Sequence, residues 1–92
     1  MDISGKAAVV TGGASGIGQA VARRIYADSG NVIIFDLNTD SGNAMVEEMG
    51  ADRCVFAQVN VADEATVEAG IEAGIAKFGA IYAVVKDRKS VV

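Results

Sequence analysis

Residues 7–18 read AAVVTGGASGIG, and the parsing of this stretch decides the fold. Its first five residues, Ala7–Thr11, form a short run rich in β-branched side chains without alternation of polarity, as in a strand covered on both faces. Glycines then stand at positions 12, 16 and 18, a Gly-x-x-x-Gly-x-Gly spacing. Beyond them Ile17, Val21 and Ile25 recur at i, i+4 and i+8, an apolar helical stripe that turns Arg23 and Arg24 to solvent. The local order is strand, glycine loop, helix. In that order Gly12 permits the sharp turn out of the strand, Gly16 lets a phosphate come close to the backbone, and Gly18 lets the helix pack tightly on the sheet.

Outward from this unit the same alternation repeats. Further continuous apolar runs appear at Val32–Phe35 (VIIF), Cys54–Val59 (CVFAQV) and Ile81–Val85 (IYAVV). Met45 and Met49 mark a second helix, capped near Asp40. Val67, Ile71, Ile75 and Phe78 mark a third, with Asp63 as its N-cap. Strands alternating with helices predict βαβ units and a parallel sheet. We read the order as βαβαβαβ in an α/β chain, the N-terminal half of a doubly wound, Rossmann-type sheet with spatial strand order 3-2-1-4. The third helix carries EAGIEAGI, which puts Gly70 and Gly74 on one face. Glycine there costs about 1 kcal/mol against alanine, and its signal is weak, so the reading adopted is drift in an Ala/Gly-rich helix.

Composition narrows the function classes. With 92 residues, the chain makes one domain. Hydrophobic residues are 51% and charged residues 22%, with no proline, as in a globular rather than a disordered segment. No apolar run approaches the roughly 20 residues of a membrane span. The N-terminus MDISGK lacks the pattern of a signal peptide, so the expected location is cytoplasmic, without a membrane partner. The single Cys54 excludes an internal disulfide and a cysteine-cluster zinc site. Histidine is absent, which removes the commonest general base and metal ligand. Net charge is −4 overall, and the only basic cluster is the KDRK run near the end, so nucleic acid is disfavoured as a partner.

The glycine loop gains meaning from Asp36, in VIIFDLN, 24 residues after Gly12. An acidic residue closing the second strand can accept hydrogen bonds from ribose hydroxyls, while the helix N-terminus faces phosphates with free N–H groups and a favourable dipole. Its charge repels a 2′-phosphate, and neither Ser15 nor Leu37 offers a basic side chain to welcome one. NAD is therefore expected over NADP. Taken together, TGGASGIG, Asp36, VNVADE and KFGAIYAVV resemble the N-terminal portion of a short-chain dehydrogenase/reductase, over residues 3–85. The CVFAQVNVADE stretch is similar to the 3-hydroxyacyl-CoA and hydroxysteroid dehydrogenases of that family. The resemblance implies an NAD-dependent oxidoreductase that moves a hydride between nicotinamide and a small alcohol or carbonyl substrate, in a parent protein that is a homo-oligomer. It also implies cofactor contacts from Gly12, Ser15, Gly16, Ile17, Gly18, Asp36, Leu37, Asn60 and Val61. Asn60 stands where the family has Asp; its amide oxygen is expected to accept from the adenine amine with weakened recognition.

Tyr82 and Lys86 match the family's catalytic Tyr-x-x-x-Lys spacing, but in the family that pair lies on a helix far downstream, after a catalytic serine. Here Tyr82 belongs to an apolar strand run, where four residues span about 13 Å, too far for lysine to act on tyrosine. No catalytic residue is therefore assigned, and the chain is expected to be inert by itself. Residues 1–85 are read as the NAD-binding half-domain. Residues 86–92 look non-native: GATCGGAAGAGCGTCGTGTAG encodes Asp-Arg-Lys-Ser-Val-Val-stop and belongs to a widely used sequencing adapter, so adapter read-through is expected. Two rivals stay open: a stand-alone, non-catalytic NAD-binding module, and a fragment of another Rossmann-like enzyme such as an S-adenosylmethionine-dependent methyltransferase.

Overall fold

The computed structural model describes residues 3–14 and 16–86. They form β1 (Ala7–Thr11), α1 (Gly16–Ala27), β2 (Asn31–Asp36), α2 (Thr39–Met49), β3 (Cys54–Gln58), α3 (Glu64–Phe78) and β4 (Ala83–Val85). The strands make one parallel sheet in the order β3-β2-β1-β4, as expected for the first half of a doubly wound fold. Asp87–Val92, on which most of the proposed non-native tail falls, lie outside the described residues.

Continuous apolar strands follow from this layering. Side chains alternate between the two faces of a sheet, and here both faces are covered. Ala8, Val10, Val32, Ile34 and Cys54 pack with Ala22 and Ile25 of α1 and Met45 and Met49 of α2. On the opposite face Ala7, Val9, Ile33, Phe35 and Val59 pack against Val67, Ile71 and Phe78 of α3. Residues one apart in β1 and β2 therefore sit in different cores, and neither parity can be polar. The centre of β2 is the deepest part: Val32, Ile33 and Ile34 are fully buried.

Several local expectations are corrected. Of the Ile17–Val21–Ile25 stripe, Ile25 is buried and Val21 packs against the core, but Ile17 is 64% exposed and Gly18 and Ala22 complete the buried face. Small residues won because the helix start lies almost on the loop backbone, where an isoleucine does not fit. The cap of α2 is Asn38 rather than Asp40: its extended backbone lets its side chain accept from the Ser41 N–H at 2.9 Å. Asp40 sits in the first turn, where it complements the helix dipole. Asp63 caps α3 as expected, accepting from the Ala65 N–H at 3.1 Å. In α3, Ile75 is exposed and the buried positions are Gly70 and Gly74. A Cβ on Gly70 would stand 2.8 Å from the Phe35 ring and 2.9 Å from Val59, and one on Gly74 2.6 Å from Ile33 Cδ1. The tandem is a close-packing face, and the reading of it as drift is withdrawn.

At the amino ends of the strands Arg53 ties the layers together. One guanidinium nitrogen donates to the Tyr26 and Gly30 carbonyls, both at 2.7 Å, while the group stacks 4.0 Å over the Tyr26 ring. It thereby joins the Tyr26 carbonyl in the last turn of α1, which the Ser29 N–H also meets, to the Gly30 carbonyl just before β2. Across the outer surface Arg23 and Glu48 form a two-pronged pair between α1 and α2, at 2.8 and 2.9 Å.

Candidate functional site

The carboxyl ends of β1, β2 and β3 bring the candidate residues to one rim of the sheet. At the end of β1 the chain turns through Gly12, whose φ is +67° and whose N–H donates to the Phe35 carbonyl at 2.7 Å. Gly16, at φ +56°, again needs the left-handed region, and the place of its missing side chain faces open space. That is a cradle a Cβ would begin to fill. Gly18 does the packing: a Cβ there would drive into the Gly12 carbonyl. The turn at Gly12 and the close packing at Gly18 are as expected from the spacing. Ser15 lies outside the described residues.

Asp36 reaches across from β2 to this loop. Its Oδ2 accepts from the Ala14 N–H at 3.1 Å and its Oδ1 from the Asn38 N–H at 3.0 Å. A carboxylate has about four acceptor positions, so each oxygen keeps capacity for a ligand hydroxyl. The two backbone donors fix its orientation, and they are the partners that sequence reasoning missed. Asp-x-Asn within VIIFDLN carried a local signal for one of them, because an Asp side chain commonly accepts from the N–H two residues on. The Ala14 contact spans 22 positions, and no local signal could announce it.

Next along the rim comes the turn after β3. Val59 donates to the Asp36 carbonyl at 3.1 Å. Asn60 is exposed and held by its backbone: its N–H donates to Thr66 Oγ1 at 3.0 Å, and the same hydroxyl donates back to its carbonyl. Its side-chain Oδ1 accepts from the Ala62 N–H at 3.0 Å. Three of the large exposed apolar side chains also stand on this rim: Ile17 at 64%, Leu37 at 62% and Val61 at 56% exposure. Each follows the end of a different strand, so the rim offers apolar contact beside a polar cradle, as small-molecule sites do. At its other side Thr11 Oγ1 donates to the Val85 carbonyl at 3.3 Å and ties the loop to the end of β4.

Burial, with a smaller push from the charge of Glu48, raises the Cys54 thiol to about 11, so this cysteine is no nucleophile. Among the described residues no group of acidic, histidine or cysteine side chains could hold a metal ion. Tyr82 stands just before β4 and Lys86 just after it, and the Tyr82 ring lies 4.8 Å from Lys6 Nζ. An open groove of about 380 Å³ beneath α3, lined by Ala57, Gln58, Ala65, Thr66, Ala69 and Gly70, touches none of the glycine-loop residues.

Comparison with known proteins agrees with this geometry. The family model for the short chain dehydrogenases matches residues 6–87. A (+)-cis,cis-nepetalactol synthase of Nepeta racemosa is 41% identical over 80 residues, which are 86% of this chain and 30% of the synthase. A 3-hydroxyacyl-CoA dehydrogenase type-2 of Drosophila melanogaster is 40% identical over 77 residues, 84% of this chain and 30% of the dehydrogenase. The crystal structure of a short chain dehydrogenase/reductase from Burkholderia phymatum in complex with NAD superposes with a TM-score of 0.86 at 24% identity, covering 91% of this chain and 31% of that one; at that identity the likeness shows the fold. The chain thus spans about 30% of the length of the curated relatives it matches. With its glycine loop, parallel half-sheet and family match, the chain belongs to the short chain dehydrogenase family.

Proposed function

We propose that this chain is the adenosine- and pyrophosphate-binding portion of an NAD-dependent oxidoreductase, and that by itself it is catalytically inert. The observation that carries the reading is the contact of Asp36 with the glycine loop through Ala14. It holds the Asp36 carboxylate against the glycine loop, which supports reading the one as a ribose acceptor and the other as a phosphate cradle. The cradle fits the group: Gly16 leaves room above the loop, and the first turn of α1 presents N–H groups that no helical carbonyl satisfies. Asp36 would take the ribose hydroxyls, Leu37 and Val61 would flank the base, and Asn60 would meet its edge. When bound, NAD supplies the hydride acceptor. The full-length parent would oxidise an alcohol or reduce a carbonyl, with the serine, tyrosine and lysine of the family supplied by residues beyond these 92.

Calorimetric titration of the chain with NAD, NADP and S-adenosylmethionine tests this. NAD should bind at least about tenfold tighter than NADP, because the Asp36 charge meets the extra phosphate, and Asp36→Asn should narrow that gap. Binding of S-adenosylmethionine in preference to both dinucleotides would sink the proposal. No hydride transfer to any alcohol is expected from this chain alone.

A further inference from the structure

We propose that Gln58 is a positioning residue for Asp36, and that it sharpens the choice between dinucleotides with a free 2′-hydroxyl and those with a 2′-phosphate. The proposal rests on the dinucleotide reading above and concerns how its ribose acceptor is aimed. β2 ends at Asp36 and β3 at Gln58, and the two are register partners. The Gln58 side chain carries the cross-strand contact one residue further: its Nε2 donates to the Leu37 carbonyl at 3.2 Å. A carbonyl can only accept, so the nitrogen end of this amide is fixed by its partner.

The same peptide unit aims the carboxylate. The Leu37 C=O and the Asn38 N–H belong to one planar, trans peptide, so they point in opposite directions. The Asn38 N–H donates to Asp36 Oδ1 at 3.0 Å. β2 lies between β3 and β1. A carbonyl drawn toward β3 therefore turns its N–H toward the β1 side, where the Ala14 N–H of the glycine loop meets Oδ2 at 3.1 Å. The Asn38 end of the peptide is tied to α2, through its side chain on the Ser41 N–H at 2.9 Å and its carbonyl on the Gly42 N–H at 3.0 Å. Gln58 holds the Leu37 end. Without it the peptide can rock, and Oδ1 loses a fixed donor while Oδ2 keeps Ala14. A carboxylate held at one oxygen swings; it accepts less well from two ribose hydroxyls and sets a less fixed charge against a 2′-phosphate. Loss of the Gln58 contact thus disfavours the first kind of dinucleotide and not the second.

Calorimetric titration of the full chain and of Gln58→Met with NAD and NADP tests this. Methionine keeps the length and neutrality of the side chain but has no N–H to donate. A hydrogen bond at an exposed site has a modest net effect, so NAD should bind about threefold more weakly while NADP binds as well or better, and the preference for NAD should fall by about threefold or more. In the Asp36→Ala background no carboxylate remains to be aimed, and there Gln58→Met should leave the NADP constant unchanged. An equal loss for both dinucleotides, or no change for either, overturns the proposal and leaves the dinucleotide reading standing. Weaker NADP binding on adding Gln58→Met to Asp36→Ala overturns it too, because Gln58 would then act by another route. If neither dinucleotide binds the natural chain, the dinucleotide reading fails and this proposal goes with it.

Discussion

Gly18 is the position where one added methyl has the largest reach. Its Cβ would enter the Gly12 carbonyl, which is backbone and cannot swing aside, so Gly18→Ala must push α1 off the sheet or distort the loop. A loss of about 1–3 kcal/mol is expected, the usual cost of overpacking, together with loss of dinucleotide binding; chemical denaturation and titration of the same sample read both. Cys54 behaves oppositely, as a group hidden by the fold. Its thiol ionises near the ordinary 9.0 when unfolded and at about 11 when folded, chiefly because burial penalises the thiolate. Between those values the unfolded chain has released its proton and the folded chain has not. Stability is therefore untouched below pH 9 and declines as pH rises from 9 toward 11. Native protein should react slowly with an alkylating reagent at pH 8 and become reactive on unfolding; equal rates in both states would contradict its burial.

The third helix shows how packing overrides propensity. In an unpacked helix, Gly70→Ala would stabilise by about 1 kcal/mol. Against Phe35 and Val59 the same methyl is 2.8–2.9 Å from buried atoms, so the sign should reverse, to a destabilisation of about 1–3 kcal/mol. Gly74→Ala meets the end of the Ile33 side chain, which can rotate, and should lie near zero. Destabilisation by Gly70→Ala with little change in Gly74→Ala in a urea melt would separate close packing from drift, and stabilisation by both would restore drift. At the other end of the sheet, Arg53→Lys keeps a charge but loses the planar fork that serves the Tyr26 and Gly30 carbonyls and the Tyr26 ring. The expected cost is about 1–3 kcal/mol, read as a lower melting temperature.

Among the described residues the sheet ends in two edge strands, β3 and β4. β4 contributes three residues to the sheet, and Tyr82, Val84 and Ile75 are 47%, 52% and 44% exposed. α3 covers its face of the sheet alone, since both other helices lie opposite. A chain of this length buries only about 60–65% of its unfolded surface. An apolar parallel edge with free N–H and C=O groups invites pairing with other chains. The isolated chain should therefore associate as concentration rises, with a broad thermal transition. A sharp, concentration-independent transition of a monomer in sedimentation would count against this.

The order of elements, their parallel pairing and the meeting of the glycine loop with Asp36 at one rim could be read from the linear chain. Continuous apolar runs, helical spacing and loop glycines are local patterns with local causes, and the short connections leave few ways to lay out a parallel sheet. The chain alone did not say which helical face is buried. Gly18, Ala22, Gly70 and Gly74 are chosen over Ile17 and Ile75 by what stands opposite them: a loop carbonyl, the Phe35 ring and Ile33. The direction of the Asn60 amide and the grip of Ala14 on Asp36 were likewise set by the folded backbone, because a hydrogen bond needs both partners in place and periodicity supplies only one.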